Sequence, residues 1–66
     1  MYNAYLIQIE SDAEIHIGEF KKLSTALAHV RCACHEYGIS KFDWVVEKYN
    51  NGILVNTRSS LQGLQG

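Results

Sequence analysis

One stretch of this chain has a clear helical period, and it constrains what the remaining residues can form. Across residues 24–37 the apolar side chains recur at the spacing of an α-helix. They share one broad side of the predicted helix: Leu23, Ala26, Leu27, Val30, Ala33, Cys34 and Tyr37. Ser24 is expected to cap the N-terminus through its hydroxyl, and Gly38 is expected to end the helix because glycine adopts positive φ easily. A single helix with one apolar face needs a second layer to cover that face.

The residues before the helix predict a β-hairpin. Apolar residues alternate with others over residues 2–10 and again over residues 13–17, and the turn-forming Ser11 and Asp12 lie between the two segments. Both faces of the first strand are apolar at its start, which is typical of an interior strand or of one whose second face meets a partner. Residues 18–22 are expected to lead the chain into the helix.

The residues after the helix predict a second hairpin. Residues 42–49 are rich in aromatic and β-branched side chains and form a predicted strand, and residues 53–57 form the next one. Asn51 and Gly52 between them are a strong hairpin signal, because a two-residue type I′ turn requires positive φ at both positions.

A two-residue turn also specifies the register of this hairpin. It predicts three opposed pairs: Tyr49 with Leu54, Lys48 with Val55, and Val46 with Thr57. One face is then apolar and is expected to meet the core: Phe42, Trp44, Val46, Ile53 and Val55. The other face carries polar residues and a small apolar group: Asp43, Glu47, Asn56 and Arg58, with Val45, Tyr49 and Leu54.

The predicted order is therefore β-β-α-β-β, an α+β fold in which an antiparallel sheet of about four strands carries one helix on one face. Residues 1–58 are predicted to form a single compact domain, as suits a chain of 66 residues. Residues 59–66 are predicted to be a mobile tail, because SSLQGLQG contains too little apolar surface to fold alone.

The charge balance disfavours several classes of partner. Six basic and seven acidic residues leave a net charge of -1, so the chain as a whole does not attract a phosphate backbone or an anionic membrane. No apolar run approaches the ~18 residues that a spanning helix needs, and no secretory signal pattern is present. Cys32 and Cys34 point in different directions on the helix and cannot form a disulfide. Unpaired thiols suit a reducing compartment, so these features predict a cytoplasmic protein.

The helix carries one group of residues that could suggest chemistry. His29, Cys32 and Glu36 are spaced to lie together on its solvent side, as in an activated thiol. Covalent catalysis also needs a pocket and oxyanion donors, which an exposed helix surface does not supply. Cys34 is expected to point into the core, so a metal site using both cysteines would require the helix to unwind. We therefore expect no enzymatic activity, no metal and no cofactor.

The open side of the sheet is the leading candidate for a working surface, because one helix covers only one face. Its expected apolar centre consists of Tyr5, Val45, Tyr49 and Leu54. Its expected rim consists of Glu14, Glu47 and Arg58. Hydrophobic residues make up 47% of the chain, which is generous for so small a core and favours a partner or a second copy that covers part of this surface.

These features predict a small non-enzymatic module that acts by occupying a surface of another protein. Small single-domain proteins of phages and other mobile elements, including inhibitors of host complexes, share this size and architecture. One alternative is a homodimeric scaffold or regulator, in which the open side or the edge of the last strand pairs with a second copy. Another is a weak nucleic-acid-binding protein, although the aromatic residues of the sheet lack interleaved basic residues.

Overall fold

Four paired strands and one helix across them make up the architecture. A computed structural model describes residues 1–60 of the chain. Its elements are β1 (Tyr2–Gln8), β2 (Glu14–Phe20), α1 (Leu23–Tyr37), β3 (Phe42–Asn50) and β4 (Ile53–Ser59). The strands form one antiparallel sheet in the order β2-β1-β3-β4, and α1 packs on one face of it. The predicted α+β fold and element order are confirmed.

The core lies between α1 and the middle of the sheet. Its fully enclosed residues come from β1, α1 and β3: Ala4, Leu6, Ala26, Val30, Cys34 and Val46. Ala4 pairs with Val46 and Leu6 with Trp44, so the even-numbered residues of β1 and β3 face the helix. The helix packs against β1, β2 and β3, whereas β4 lies beyond it, and every residue from 53 to 58 is exposed.

The helix begins one residue earlier than predicted and without the predicted cap. Lys22 occupies the N-cap position in an extended conformation, and no side chain caps the first turn. The Ala26 N–H donates to the Lys22 carbonyl at 3.1 Å, so Ser24 lies inside the helix and its predicted role as the N-cap is wrong. The predicted stop is confirmed: Gly38 has φ of 116° and donates its N–H to the Cys34 carbonyl at 2.9 Å.

The first hairpin contains a β-bulge that lengthens β2 beyond its predicted end. Gly18 pairs with Ala4 and His16 with Tyr5, so Ile17 is an extra residue on β2. An extra residue reverses the alternation of side chains, and the period-two pattern therefore stops at Ile17. The strand continues to Phe20, and residues 18–20, predicted as connecting chain, pair with β1.

A second bulge makes the register of the last hairpin differ from the predicted one. Asn51 and Gly52 have φ of 53° and 81°, and the predicted pairing of Tyr49 with Leu54 is confirmed. Val55 is then an extra residue on β4, which shifts the remaining pairs by one. Lys48 lies opposite Asn56, Glu47 opposite Thr57, and Val46 opposite Arg58.

Because of this shift, the residues of β4 that follow the bulge lie on the face opposite to the predicted one. The predictions that Lys48 pairs with Val55 and Val46 with Thr57 are wrong. Asn56 and Arg58 lie on the helix side of the sheet, and Thr57 lies on the open side.

The last described residues lie next to the predicted boundary at residue 58. Strand β4 runs to Ser59, and the Ser60 N–H donates to the Trp44 carbonyl at 3.1 Å. The remainder of the predicted tail, residues 61–66, lies outside the described residues.

The uncapped helix start predicts that Lys22→Asp stabilises the protein. A carboxylate at the N-cap would accept a hydrogen bond from a first-turn N–H and would also favour the positive end of the helix dipole. We expect the free energy of unfolding to rise by about 1 kcal/mol, measured by urea denaturation. Ser24→Ala is the matched control and should change it by less than about 0.5 kcal/mol, because Ser24 is an exposed helical residue. A large loss in that control would show that Ser24 is the cap after all.

Candidate functional site

The sheet face opposite α1, called the open face below, carries the surface that the sequence singled out. Strand pairing places thirteen side chains on it. They are Asn3, Tyr5, Ile7, Glu14, His16, Glu19, Asp43, Val45, Glu47, Tyr49, Leu54, Thr57 and Ser59.

The apolar centre of the open face is built around Val45. This side chain points away from the helix, yet only 7% of its surface is exposed because its neighbours on the open face cover it. Tyr5 lies directly opposite on β1, and Ile7 and Ile9 extend the apolar strip beyond it. An open hollow of about 600 Å³ lies over this strip, with Asp12, Asp43, Thr57 and Ser59 at its margins.

Glu47 lies between two tyrosines at the centre of the open face. The Tyr49 hydroxyl donates to Glu47 Oε1 at 3.2 Å. Burial raises the pKa of Tyr5 to about 12, assisted by the Glu47 charge and a hydrogen bond to that carboxylate. Burial and the same carboxylate also raise the pKa of Tyr49. Both phenols therefore keep their protons at higher pH than an ordinary tyrosine, and the Tyr49 hydroxyl donates to Glu47 throughout that range.

The acidic and basic side chains of the strands are divided between the two faces of the sheet. Its four carboxylates are Glu14, Glu19, Asp43 and Glu47, and none of the strand residues on this face is Lys or Arg. The nearest strand cations, Lys48 and Arg58, are on the helix side, where they line a separate hollow with Tyr2 and Leu23. The strand side chains of the open face are therefore acidic overall, although the net charge of the whole chain is close to zero.

The two β-bulges produce this segregation. The extra residue Ile17 places Glu19 on the open face and Gly18 toward the helix. The extra residue Val55 removes Arg58 from the open face. Without the bulge at Ile17, Glu19 would lie on the helix side of the sheet. Without the bulge at Val55, Arg58 would lie on the open face.

Polar contacts order the margins of the open face. His16 Nε2 hydrogen-bonds Asn3 Oδ1 across β1 and β2. The Ser60 hydroxyl donates to Asp43 Oδ1 at 3.1 Å. These contacts tie side chains of neighbouring elements together, so the rim of the open face is partly preorganised.

The structure brings together six of the seven residues predicted from sequence. Tyr5, Val45, Tyr49 and Leu54 share the open face with Glu14 and Glu47. Glu47 was expected at the rim but lies between the tyrosines. Arg58 was expected at the same rim and is on the opposite face, because the bulge at Val55 shifts the register. Ile7 and Ile9 were not among the predicted site residues, although their alternation with Tyr5 is a signal that could have identified them.

The residues that the sequence suggested for catalysis or metal binding lie on α1, away from the open face. His29, Cys32 and Glu36 are exposed on α1, and the His29 ring stacks on Phe20 with centroids 4.9 Å apart. Cys34 is buried, as predicted, and its Sγ donates to the Phe42 carbonyl at 3.3 Å. Burial, followed by the Asp43 charge, raises the pKa of its thiol and disfavours the reactive thiolate. Within residues 1–60, no group of three or more His, Cys, Asp or Glu side chains could hold a metal ion.

Comparison with known proteins does not place the chain in a family. No family model matches it, and no curated protein or solved structure is significantly similar. Among the described residues, no helix is long and apolar enough to cross a membrane. Functional interpretation therefore depends on the open face itself.

The environment of Tyr5 predicts a specific alkaline titration. Tyr5 should ionise near pH 12, two units above the ordinary tyrosine value of 10.0. In Glu47→Gln the pKa of Tyr5 should fall but stay above 10.0, because burial, the largest cause, is unchanged. NMR of ¹³C-labelled tyrosine, assigned with Tyr5→Phe, measures both values.

The same shift predicts how stability depends on pH. Tyr5 binds its proton more tightly in the folded state, so the unfolded chain ionises first. The resulting loss of stability should begin near pH 10 and continue until about pH 12. The melting temperature should fall more steeply in this window for the wild type than for Tyr5→Phe; equal slopes would show that the pKa of Tyr5 is not raised by folding.

Proposed function

We propose that this protein is a non-enzymatic binding module whose open face occupies a positively charged surface of another protein. The observation that carries the proposal is an apolar centre surrounded by carboxylates, with no Lys or Arg among the strand residues of that face. Proteins that act in this way need no pocket or cofactor, only a rigid surface of suitable shape and charge.

The apolar centre would supply most of the binding energy. Tyr5 and Tyr49 present large, ordered aromatic surfaces, and Leu54 stands beside Tyr49 with 47% of its surface exposed. Interface energy concentrates in a few central side chains of this kind, with tyrosine among the most frequent. The sheet holds these side chains in place, so binding would cost little conformational entropy.

The carboxylates would select the partner. Glu47 already accepts from the Tyr49 phenol, and a carboxylate has further lone pairs that can accept from an arginine or lysine of the partner. Glu14 and Glu19 on β2 and Asp43 on β3 extend the negative charge across the face. Such a face attracts a basic protein surface over several ångströms and accelerates association.

The same charge argues against two alternative uses of the open face. A nucleic acid backbone is anionic and would be repelled by these carboxylates. A two-fold dimer through the open face would place the carboxylates of one copy against those of the other, which is unfavourable. The proposal therefore favours a different, basic protein over both alternatives for this face.

The chain's size suggests how such binding would act. A module of 66 residues can cover a functional surface of a larger protein and thereby block it. Inhibition of a host complex by a protein of a phage or another mobile element is the narrower form of this proposal, and it rests on size and architecture alone.

Removing the apolar centre without changing charge tests the proposal. The wild type, Tyr49→Ala/Leu54→Ala and the control Ile39→Ala would each be immobilised, and captured proteins identified by mass spectrometry. Ile39 is a suitable control because it is 66% exposed and lies outside the sheet. For a captured partner, once purified, we expect the double variant to weaken affinity about a hundredfold or more and the control to leave it unchanged.

A second pair of variants tests the role of charge. Glu14→Gln/Glu47→Gln should weaken binding and reduce its dependence on salt, because fewer charges on the open face would be screened. Glu36→Gln on the exposed surface of α1 is the matched control. Affinity that is unaffected by both the apolar and the charge variants, or partners whose binding surfaces are acidic, would contradict the proposal.

A further inference from the structure

We infer that a basic hollow on the helix side of the sheet is a binding site for the phosphate group of a phosphate monoester. The hollow lies on the opposite side of the sheet from the open face, so the inference does not depend on the proposed function. It rests on three observations: two cations meet in one hollow, no carboxylate of the described strands shares their face, and apolar walls adjoin the cations.

Strand pairing brings the two cations together. Lys48 on β3 pairs with Asn56 on β4, and Val46 pairs with Arg58. Lys48 and Arg58 are therefore diagonal neighbours on one face, about 7–8 Å apart, a spacing that long side chains can bridge. They line a hollow of about 180 Å³, and Asn56, a neighbour of both, lines it too and adds an amide that can donate to an anion.

Among the described strands, no acidic side chain shares the face of these two cations. Every Asp and Glu of the four strands lies on the open face instead. The ammonium group of Lys48 lies 5.9 Å from the centre of the Tyr2 ring, on the side of the sheet that α1 covers. An anion that enters the hollow therefore meets two positive charges and displaces no carboxylate of the sheet.

Further positive charge surrounds the hollow at the start of α1. The side chain of Leu23, the first residue of the helix, forms one wall. Lys21 and Lys22 precede it directly, so four of the six basic residues of the chain line the hollow or lie within two positions of a residue that lines it. The first turn of α1 contains no acidic residue, and the positive end of the helix dipole adds to the local potential. The groups that bind the anion are nevertheless the side chains on β3 and β4.

The number of charges indicates the class of ligand. A phosphate monoester carries about −1.5 to −2 near pH 7, which matches two cations better than the single charge of a carboxylate does. The guanidinium of Arg58 can donate two parallel hydrogen bonds to phosphate oxygens, and Lys48 supplies a point charge. A nucleic acid backbone needs a row of cations along successive phosphates, whereas these two converge on one hollow.

The walls of the hollow suit the organic part of such an ester. Tyr2, Leu23 and Val46 place apolar surface beside the charged groups. Val46 is only 2% exposed and lies beneath, whereas Tyr2 and Leu23 are partly exposed and can contact a ligand. An ester with a small ring can therefore bind its phosphate to the cations and rest its ring on these walls. Phenyl phosphate is the corresponding probe.

An NMR titration of the ¹⁵N-labelled full chain with phenyl phosphate, at constant ionic strength, tests the inference. Saturable shifts should concentrate in the amides of residues 46–48 and 56–58. Lys48→Gln/Arg58→Gln should weaken binding about tenfold or more, because it removes both charge-assisted contacts. Arg31→Gln/Lys41→Gln removes the same charge from exposed positions outside the hollow and should bind like the wild type. Circular dichroism establishes that each variant is folded.

Phenyl sulfate separates the effect of charge from that of shape. It presents the same ring and a tetrahedral group with a single negative charge, so it should bind several-fold more weakly than phenyl phosphate. Three results would overturn the inference: no saturable shifts at millimolar phenyl phosphate, equal weakening in the two double variants, or phenyl sulfate that binds as tightly as phenyl phosphate.

A peptide that contains phosphotyrosine distinguishes two sources of the same phosphorylated ring. Tighter binding than that of phenyl phosphate, lost in Lys48→Gln/Arg58→Gln, would support the inference and assign the ester to a modified protein. Binding no tighter than that of phenyl phosphate, with the same sensitivity to the variant, would support it and assign the ester to a free small molecule.

Discussion

The contact between the apolar stripe of α1 and the middle of the sheet is the interaction on which the rest of the structure depends. Leu6, Val30 and Val46 are the largest side chains enclosed by it. Each contributes roughly 1.5–3 kcal/mol by leaving water, a large share for a domain of this size. The contact also sets the division of the molecule, because the face that α1 covers becomes the core side and the other face stays open. The position of α1 over only three strands has a second consequence, since it leaves β4 exposed.

Two single-residue insertions then determine the chemistry of the open side. A β-bulge displaces every following side chain to the other face, so one residue is enough to relocate a charge. Ile17 and Val55 act in the same direction, since one adds Glu19 to the open face and the other removes Arg58 from it. The resulting acidic face stands beside a helix side that holds Lys48 and Arg58. A chain whose overall charge is almost neutral therefore carries an acidic face on one side of its sheet.

The acidic group at the centre of the open face is held by a neighbouring side chain. The Tyr49 hydroxyl donates to the Glu47 carboxylate at 3.2 Å. Leu54 lies opposite Tyr49 with 47% of its surface exposed, so apolar and acidic groups adjoin at this point of the open face.

The sequence by itself determined the elements and their order. The helical period around Val30, the stop at Gly38 and the turn at Asn51 and Gly52 are local signals, and each depends on residues within a few positions of one another. Alternation also identified most of the open face, since Tyr5, Val45 and Tyr49 are assigned correctly by strand period alone. The helix start was not predictable from the capping preference of Ser24, because the chain enters α1 at Lys22, which offers no cap.

Only the tertiary structure decided the strand order, the two bulges and the face on which Arg58 lies. A bulge exists when one of two paired strands has an extra residue relative to the other. The residue pattern of a single strand therefore cannot reveal it. The exposure of β4 is likewise a consequence of where α1 crosses the sheet. The residues of the site were therefore encoded locally, whereas the position of Glu19 on the open face and of Arg58 on the helix side was set by the pairing of neighbouring strands.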